Sequence, residues 1–195
     1  GGSTGKPTEK ANVADGIALF EKVHTLHPEV AIVGRSLGSG VAVQVASRAA
    51  ASRLVLVTPF DSVVGIAAQV YWYLPVHWIA IDTYESGKFA PSITIPTTIV
   101  EAENDEEVPH ASTEKLLSRF RPGIATMTVI EGVGHNDIQK NKKYVEALQA
   151  ALKWRLTVRS RRTTAPPPSS VRHQPALYGR SKTQLRDAGK VGGLA

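Results

Sequence analysis

Apolar and polar positions fall into blocks along this chain, and each block has its own period. In "ANVADGIALFEKVHTLH" (11–27), Val13, Ile17, Phe20 and Val23 recur every three or four residues. That spacing predicts an amphipathic helix, stopped near Pro28. "VAIVG" (30–34) is apolar without alternation, the pattern of a strand buried on both faces of a parallel sheet. "GSGVAVQVASRAAA" follows, small and helix-compatible to about Ala50, and "RLVLVTP" (53–59) is a second buried strand. "FDSVVGIAAQVYWYLPVHWIAIDTYES" (60–86) is mixed and aromatic, consistent with one or two short helices. A third strand is expected in "PTTIVEAEND" (96–105), a helix in "HASTEKLLSRF", a fourth strand in "IATMTVI" (124–130) and a last amphipathic helix in "NKKYVEALQAALKW". Strands alternating with helices predict an α/β fold, a mostly parallel sheet of about four strands flanked by helices. No internal repeat is visible.

The chain has 195 residues, enough for one domain with a real core. It contains no cysteine, which excludes a disulfide framework and any Cys-based metal site and allows a reducing compartment. No apolar run approaches the 18 or so residues of a membrane span. The longest candidate, "VYWYLPVHWIAI" (70–81), is short and carries Pro75 and His77. No secretory leader is visible, so a cytoplasmic location is expected.

The net charge of +6 is unevenly placed. Residues 155–195 hold nine Lys and Arg against one acid, Asp187, a net +8, so residues 1–154 carry a net −2. The body therefore offers no excess of basic residues for nucleic acid, and no nucleic-acid partner is expected for it. The tail is rich in Pro, Ser and Arg and has no usable hydrophobic period, which reads as disorder. It is either a polybasic arm for nucleic acid or anionic lipid, or an extension without function. The expected organisation is a folded body over 1–154 and a basic tail over 155–195.

In open parallel sheets the reactive groups lie just past the carboxyl ends of strands. The first strand runs into "GRSLG" (34–38), in which Gly34 and Gly38 flank Ser36. A sharp strand-to-helix turn at Ser36 would drive side chains two residues away on either side into the neighbouring backbone, and Gly-x-Ser-x-Gly is the sequence form of that turn. The second strand is followed by Asp61, the third by Asp105 in "ENDEEVP", and the fourth by His135 in "EGVGHNDI", where Gly132 and Gly134 suggest a loop shaped to turn the imidazole back over the sheet. A serine hydroxyl needs an adjacent base to act as a nucleophile. The base needs a carboxylate to hold its tautomer and stabilise the imidazolium. Ser36, His135 and Asp105 fill these roles, with Asp61 the runner-up acid by the same strand-end logic. A nucleotide-binding reading is weak, because "GRSLGSG" lacks the Lys-Ser/Thr of a phosphate loop and has the wrong glycine spacing for a dinucleotide fingerprint.

Together "IVGRSLGSGVAVQVAS", "RLVLVTPFDS", "YLPVHW", "IPTTIVEAENDEEVP" and "GHNDI" resemble an α/β-hydrolase-fold serine hydrolase over about residues 12–154. The resemblance is to the compact, uncapped branch with depalmitoylase-, esterase- and peptidase-like members. It implies cleavage of an ester, thioester or amide through an acyl-enzyme intermediate, on a small-molecule or acylated substrate. It implies Ser36 as nucleophile, His135 as base, Asp105 as the acid and the Leu37 N–H as one oxyanion donor, with no metal or organic cofactor. It also implies that the chain is the C-terminal part of the fold. The family's first four strands, and the loop that supplies the second oxyanion donor, have no counterpart here, which leaves the nucleophile strand as a bare edge. The alternative is a catalytically impaired fragment acting as a non-enzymatic binding module. The aromatics Tyr71, Trp72, Tyr73 and Trp78 are expected to pack as core.

Overall fold

The computed structural model describes residues 4–70 and 81–153. The chain divides into Gly1–Arg155 and Leu156–Ala195. The basic tail, and the aromatic residues 71–80 with the expected core role of Tyr71, Trp72, Tyr73 and Trp78, lie outside the described residues.

Helix α1 spans Glu9–His24 and begins earlier than its apolar spacing suggests, because the Thr8 side chain accepts the Ala11 N–H and caps the first turn. Strand β1 is Ala31–Arg35 and helix α2 is Leu37–Ala46. The small-residue run does not carry α2 to Ala50; the helix closes at Ser47, whose N–H donates to the Val43 carbonyl. Strand β2 is Arg53–Val57, α3 is Val63–Val70, and α4 is the single turn Ser86–Phe89, continued by a 3₁₀ turn at Ala90–Ser92. Then come β3 (Thr97–Ala102), α5 (His110–Arg119), β4 (Ala125–Ile130) and α6 (Lys142–Leu152).

The four strands form one parallel sheet in the order β1-β2-β3-β4. β2 and β3 are interior, and Leu54, Leu56, Ile99 and Val100 are fully buried. One face of the sheet packs Leu54, Leu56 and Ile99 with Ala42, Val43, Leu116 and Phe120. A second cluster, around Val57, Val100, Ile130 and Ile138, receives Tyr144 and Leu148 of α6. β1 has the sequence of an interior strand but among the described residues lies at the edge, paired to β2 alone, and Val33 is 50% exposed. α1 packs on α2 and is pinned by Glu9. Its carboxylate accepts from the Gln44 side chain and from the backbone N–H groups of Thr83 and Tyr84. Burial acts against the charged form, but these hydrogen bonds outweigh it and hold the Glu9 carboxyl below its ordinary value. No helix among the described residues is long and apolar enough to cross a membrane.

Candidate active site

Four loops leave the carboxyl ends of the four strands, and three of them converge. Ser36 ends β1 at φ 50° and ψ −126°, a conformation that costs a non-glycine residue about 1–3 kcal/mol. The surrounding structure holds it there: the Ser36 N–H donates to the Val57 carbonyl, and the Ser36 carbonyl accepts both the N–H and the hydroxyl of Ser39. Gly34 is sterically required, since a Cβ there would lie 2.5 Å from the Ala42 Cβ and 2.5 Å from the Gly38 carbonyl oxygen. Gly38 is not. A Cβ at Gly38 meets nothing within 4 Å, because the position faces the open groove beside the β1 edge. The expected collision on both sides of the serine therefore holds on one side in this chain.

His135 follows β4 and is 2% exposed. Its Nε2 lies 2.9 Å from Ser36 Oγ, and its Nδ1 lies 2.9 and 2.8 Å from the two oxygens of Asp105. The tautomer protonated on Nδ1 satisfies both contacts, donating to Asp105 and accepting the serine hydroxyl. Asp105 follows β3, and its Oδ1 also accepts the N–H groups of Glu107 and Val108, which holds the carboxylate in place independently of the imidazole. Leu37 is the first residue of α2, so its N–H is among the orphan donors of that helix start.

Asp61, the other strand-end carboxylate, turns away from the imidazole. It is 8% exposed, and Lys115 Nζ lies 2.7 Å from its Oδ2, with Arg119 Nε 3.9 Å from Oδ1. Its place is the α5 packing surface.

Several residues of the site carried no signal in the sequence. Arg35 donates from Nη2 to the His135 carbonyl at 2.7 Å, tying the β1 end to the histidine loop across 100 positions. Glu107 Oε2 lies 3.6 Å from His135 Nε2, and Asn136 Nδ2 donates to Glu107 Oε1. At the far end of the Asp105 loop, Glu101 on β3 is buried and accepts from His110 Nδ1 at 2.8 Å, while His110 Nε2 lies 3.2 Å from Glu114. The hydrogen bond to Glu101, followed by its charge, holds the His110 imidazole above its ordinary value. These are pairings of polar side chains, which a hydrophobic period does not record.

Ser36 opens on a cleft of about 350 Å³ lined by Leu37, Phe60, Val63, Ile66 and Glu107. A larger cavity of about 610 Å³, bounded by α1, Gln44 and Asp82, shares no residue with it. The smaller cleft is the one that Ser36 lines, beside an apolar wall, with His135 Nε2 2.9 Å from the serine Oγ. Among the described residues no cluster of three or more His, Cys, Asp or Glu side chains is arranged to hold a metal ion.

A parallel sheet with a strained serine turn after one strand, an acid after another and a histidine after the last is the architecture of the α/β hydrolases. The chain has an α/β-hydrolase fold, present in part. It is 33% identical over 141 residues to an uncharacterized protein of Mycobacterium tuberculosis, matching 70% of this chain and 50% of the relative. It is 29% identical over 157 residues to human alpha/beta hydrolase domain-containing protein 17B, matching 76% of this chain and 51% of that protein. Among solved structures it resembles an acetyl xylan esterase from Paenibacillus with a TM-score of 0.57, at 14% identity, over 72% of this chain and 52% of the esterase. The chain thus spans about half the length of the curated relatives it matches. No family model matches it.

Proposed function

We propose that this chain carries the catalytic machinery of a serine hydrolase that cleaves an ester, thioester or amide bond. The observation that supports it is the continuous hydrogen-bonded line from Ser36 Oγ through both nitrogens of His135 to Asp105. Ser36 Oγ attacks the carbonyl carbon while its proton passes to His135 Nε2. Asp105 orients the imidazole and stabilises the imidazolium. The tetrahedral oxyanion takes one hydrogen bond from the Leu37 N–H. His135 then gives the proton to the leaving group as the scissile bond breaks, and a water repeats the sequence on the acyl-enzyme to release the acid. The substrate is a small molecule or an acylated partner, and the apolar cleft beside Ser36 is suited to an acyl chain.

The test is covalent labelling with a fluorophosphonate probe, alongside hydrolysis of p-nitrophenyl butyrate. Labelling that maps to Ser36 and disappears in Ser36→Ala supports the reading. A Ser36→Ala variant with the parent's hydrolytic rate refutes the nucleophile. The second reading, a binding module on an impaired hydrolase scaffold, draws on the open β1 edge, where Val33 stands half exposed. A well-folded chain that never labels favours it.

A further inference from the structure

The cleft at Ser36 is apolar except at one point. Leu37, Phe60, Val63 and Ile66 form its wall, and Glu107 is the one charged side chain lining it among the described residues. Glu107 does not sit there loosely. Its N–H donates to Asp105 Oδ1 at 3.0 Å, its Oε1 accepts from Asn136, and its Oε2 lies 3.6 Å from His135 Nε2. Its side chain remains 51% exposed, so the carboxylate faces the cleft mouth. His135 Nε2 is the atom that returns the proton to the leaving group, so a group next to it lies along the leaving group's exit path. A fixed negative charge there favours a positive charge on the departing fragment and disfavours a negative one.

Resting on the serine-hydrolase reading above, we infer that Glu107 is a specificity residue selecting substrates whose leaving group carries an ammonium close to the scissile bond, with an uncharged apolar acyl part. The acyl part lies along Leu37, Phe60 and Val63. The ammonium stays at the half-wet mouth, where it keeps part of its hydration and pairs with Glu107. A carboxylate-bearing leaving group meets like charge at the same point.

The probes are two thioesters of one shape, butyrylthiocholine and uncharged 3,3-dimethylbutyl thiobutyrate. The released thiol is read with a disulfide reagent, to which a chain without cysteine contributes no background. The parent chain is expected to favour the cationic ester in kcat/KM by about five-fold, the size of a half-exposed charge pair. Glu107→Gln brings that ratio near one, the cationic rate falling further than the uncharged one, Glu107→Lys inverts it, and added salt shrinks the preference in the parent but not in Glu107→Gln. An effect acting through the imidazole moves both rates together and leaves the ratio unchanged, so a ratio equal in parent and Glu107→Gln overturns the inference. Calorimetric titration of Ser36→Ala, with and without Glu107→Gln, reads the same preference as a ratio of Kd values. Equal Kd values for the two esters in Ser36→Ala also overturn it. A charge preference in Kd without turnover by the parent removes the hydrolase reading and leaves the recognition by Glu107 standing.

Discussion

Two carboxylate–imidazole pairs involve the segment from β3 to α5, one bridging its two ends and one reaching out from its middle, and they are chemically alike but differently placed. Asp105–His135 and Glu101–His110 each join a buried carboxylate to Nδ1 of a histidine at about the same distance, 2.8 Å. They differ at the other nitrogen. Nε2 of His135 meets the hydroxyl of Ser36, and the ring is 2% exposed. Nε2 of His110 meets the carboxylate of Glu114, and its ring is 56% exposed. A histidine between two carboxylates is held above its ordinary pKa and makes a clamp. A histidine between a carboxylate and a hydroxyl has the geometry to accept the hydroxyl's hydrogen bond. Glu101–His110 closes the end of β3 onto α5, and Asp105–His135 is the pair that the proposed mechanism uses to move a proton. Acid and base types alone do not tell the two apart; the nearest group to Nε2 does, the Ser36 hydroxyl at 2.9 Å for His135, with the Glu107 carboxylate further off at 3.6 Å, and the Glu114 carboxylate at 3.2 Å for His110.

The sharpest way to break this comparison is to neutralise both acids in turn. Asp105→Asn should lower kcat for p-nitrophenyl butyrate by roughly 1,000- to 10,000-fold, because the amide favours the wrong imidazole tautomer. Glu101→Gln should leave kcat within a few-fold once the folded fraction is matched. Equal losses from the two would mean that the clamp belongs to the catalytic chain. Asp61→Asn gives the control, with a smaller loss of kcat than Asp105→Asn; the reverse ranking, in variants shown to fold, would transfer the acid role to Asp61.

Stability separates the pairs in the opposite direction. Glu101→Gln weakens a buried charge-assisted hydrogen bond and should lower unfolding free energy by about 1–3 kcal/mol in urea titration at pH 6. Its pH dependence has a defined sign. His110 is raised above its ordinary value in the folded chain, so its contribution is fully present below the unfolded value of 6.5 and fades as pH rises through the folded one. The deficit of His110→Gln relative to the parent should therefore be larger at pH 6 than at pH 9. A deficit that does not shrink with pH would show that His110 acts as a neutral donor. The smallest effect belongs to Glu114→Gln. Its contact with His110 is exposed and lies at i,i+4 on α5, so it should cost about 0.3–0.5 kcal/mol at low salt and less at high salt.

Steric demand at the serine turn sharpens the picture further. Gly34→Ala should destabilise the chain by at least the 1–3 kcal/mol usual for overpacking, because the added carbon meets backbone and Ala42. Gly38→Ala, placed in open space in the first turn of α2, should be close to neutral in the same denaturation assay.

The order of elements was legible in the sequence because hydrophobic period is a local property. "RLVLVTP" holds a continuous apolar run and "PTTIVEAEND" a short β-branched one between Pro96 and the acidic turn, and they form the buried strands β2 and β3. "HASTEKLLSRF" and "NKKYVEALQAALKW" have helical spacing, and they form α5 and α6. The strand-end rule then nominated Ser36, Asp105 and His135, because a parallel sheet sends every strand-end loop to the same edge. The sequence ranked Asp105 ahead of Asp61, and the tertiary structure gives each carboxylate its partner. Asp61 and Asp105 both follow buried strands, and only the path of the chain after β2 and β3 gives one to Lys115 and the other to His135. It alone decided that Gly34 is crowded and Gly38 is not, since crowding depends on which neighbour lies across the turn. It alone assembled Arg35 with His135 and Glu107 with Asn136, contacts between loops 29 to 100 positions apart. Local pattern fixes which residues enter strands and helices. Charges and hydroxyls on loops find their partners through three-dimensional proximity, which a one-dimensional period does not encode.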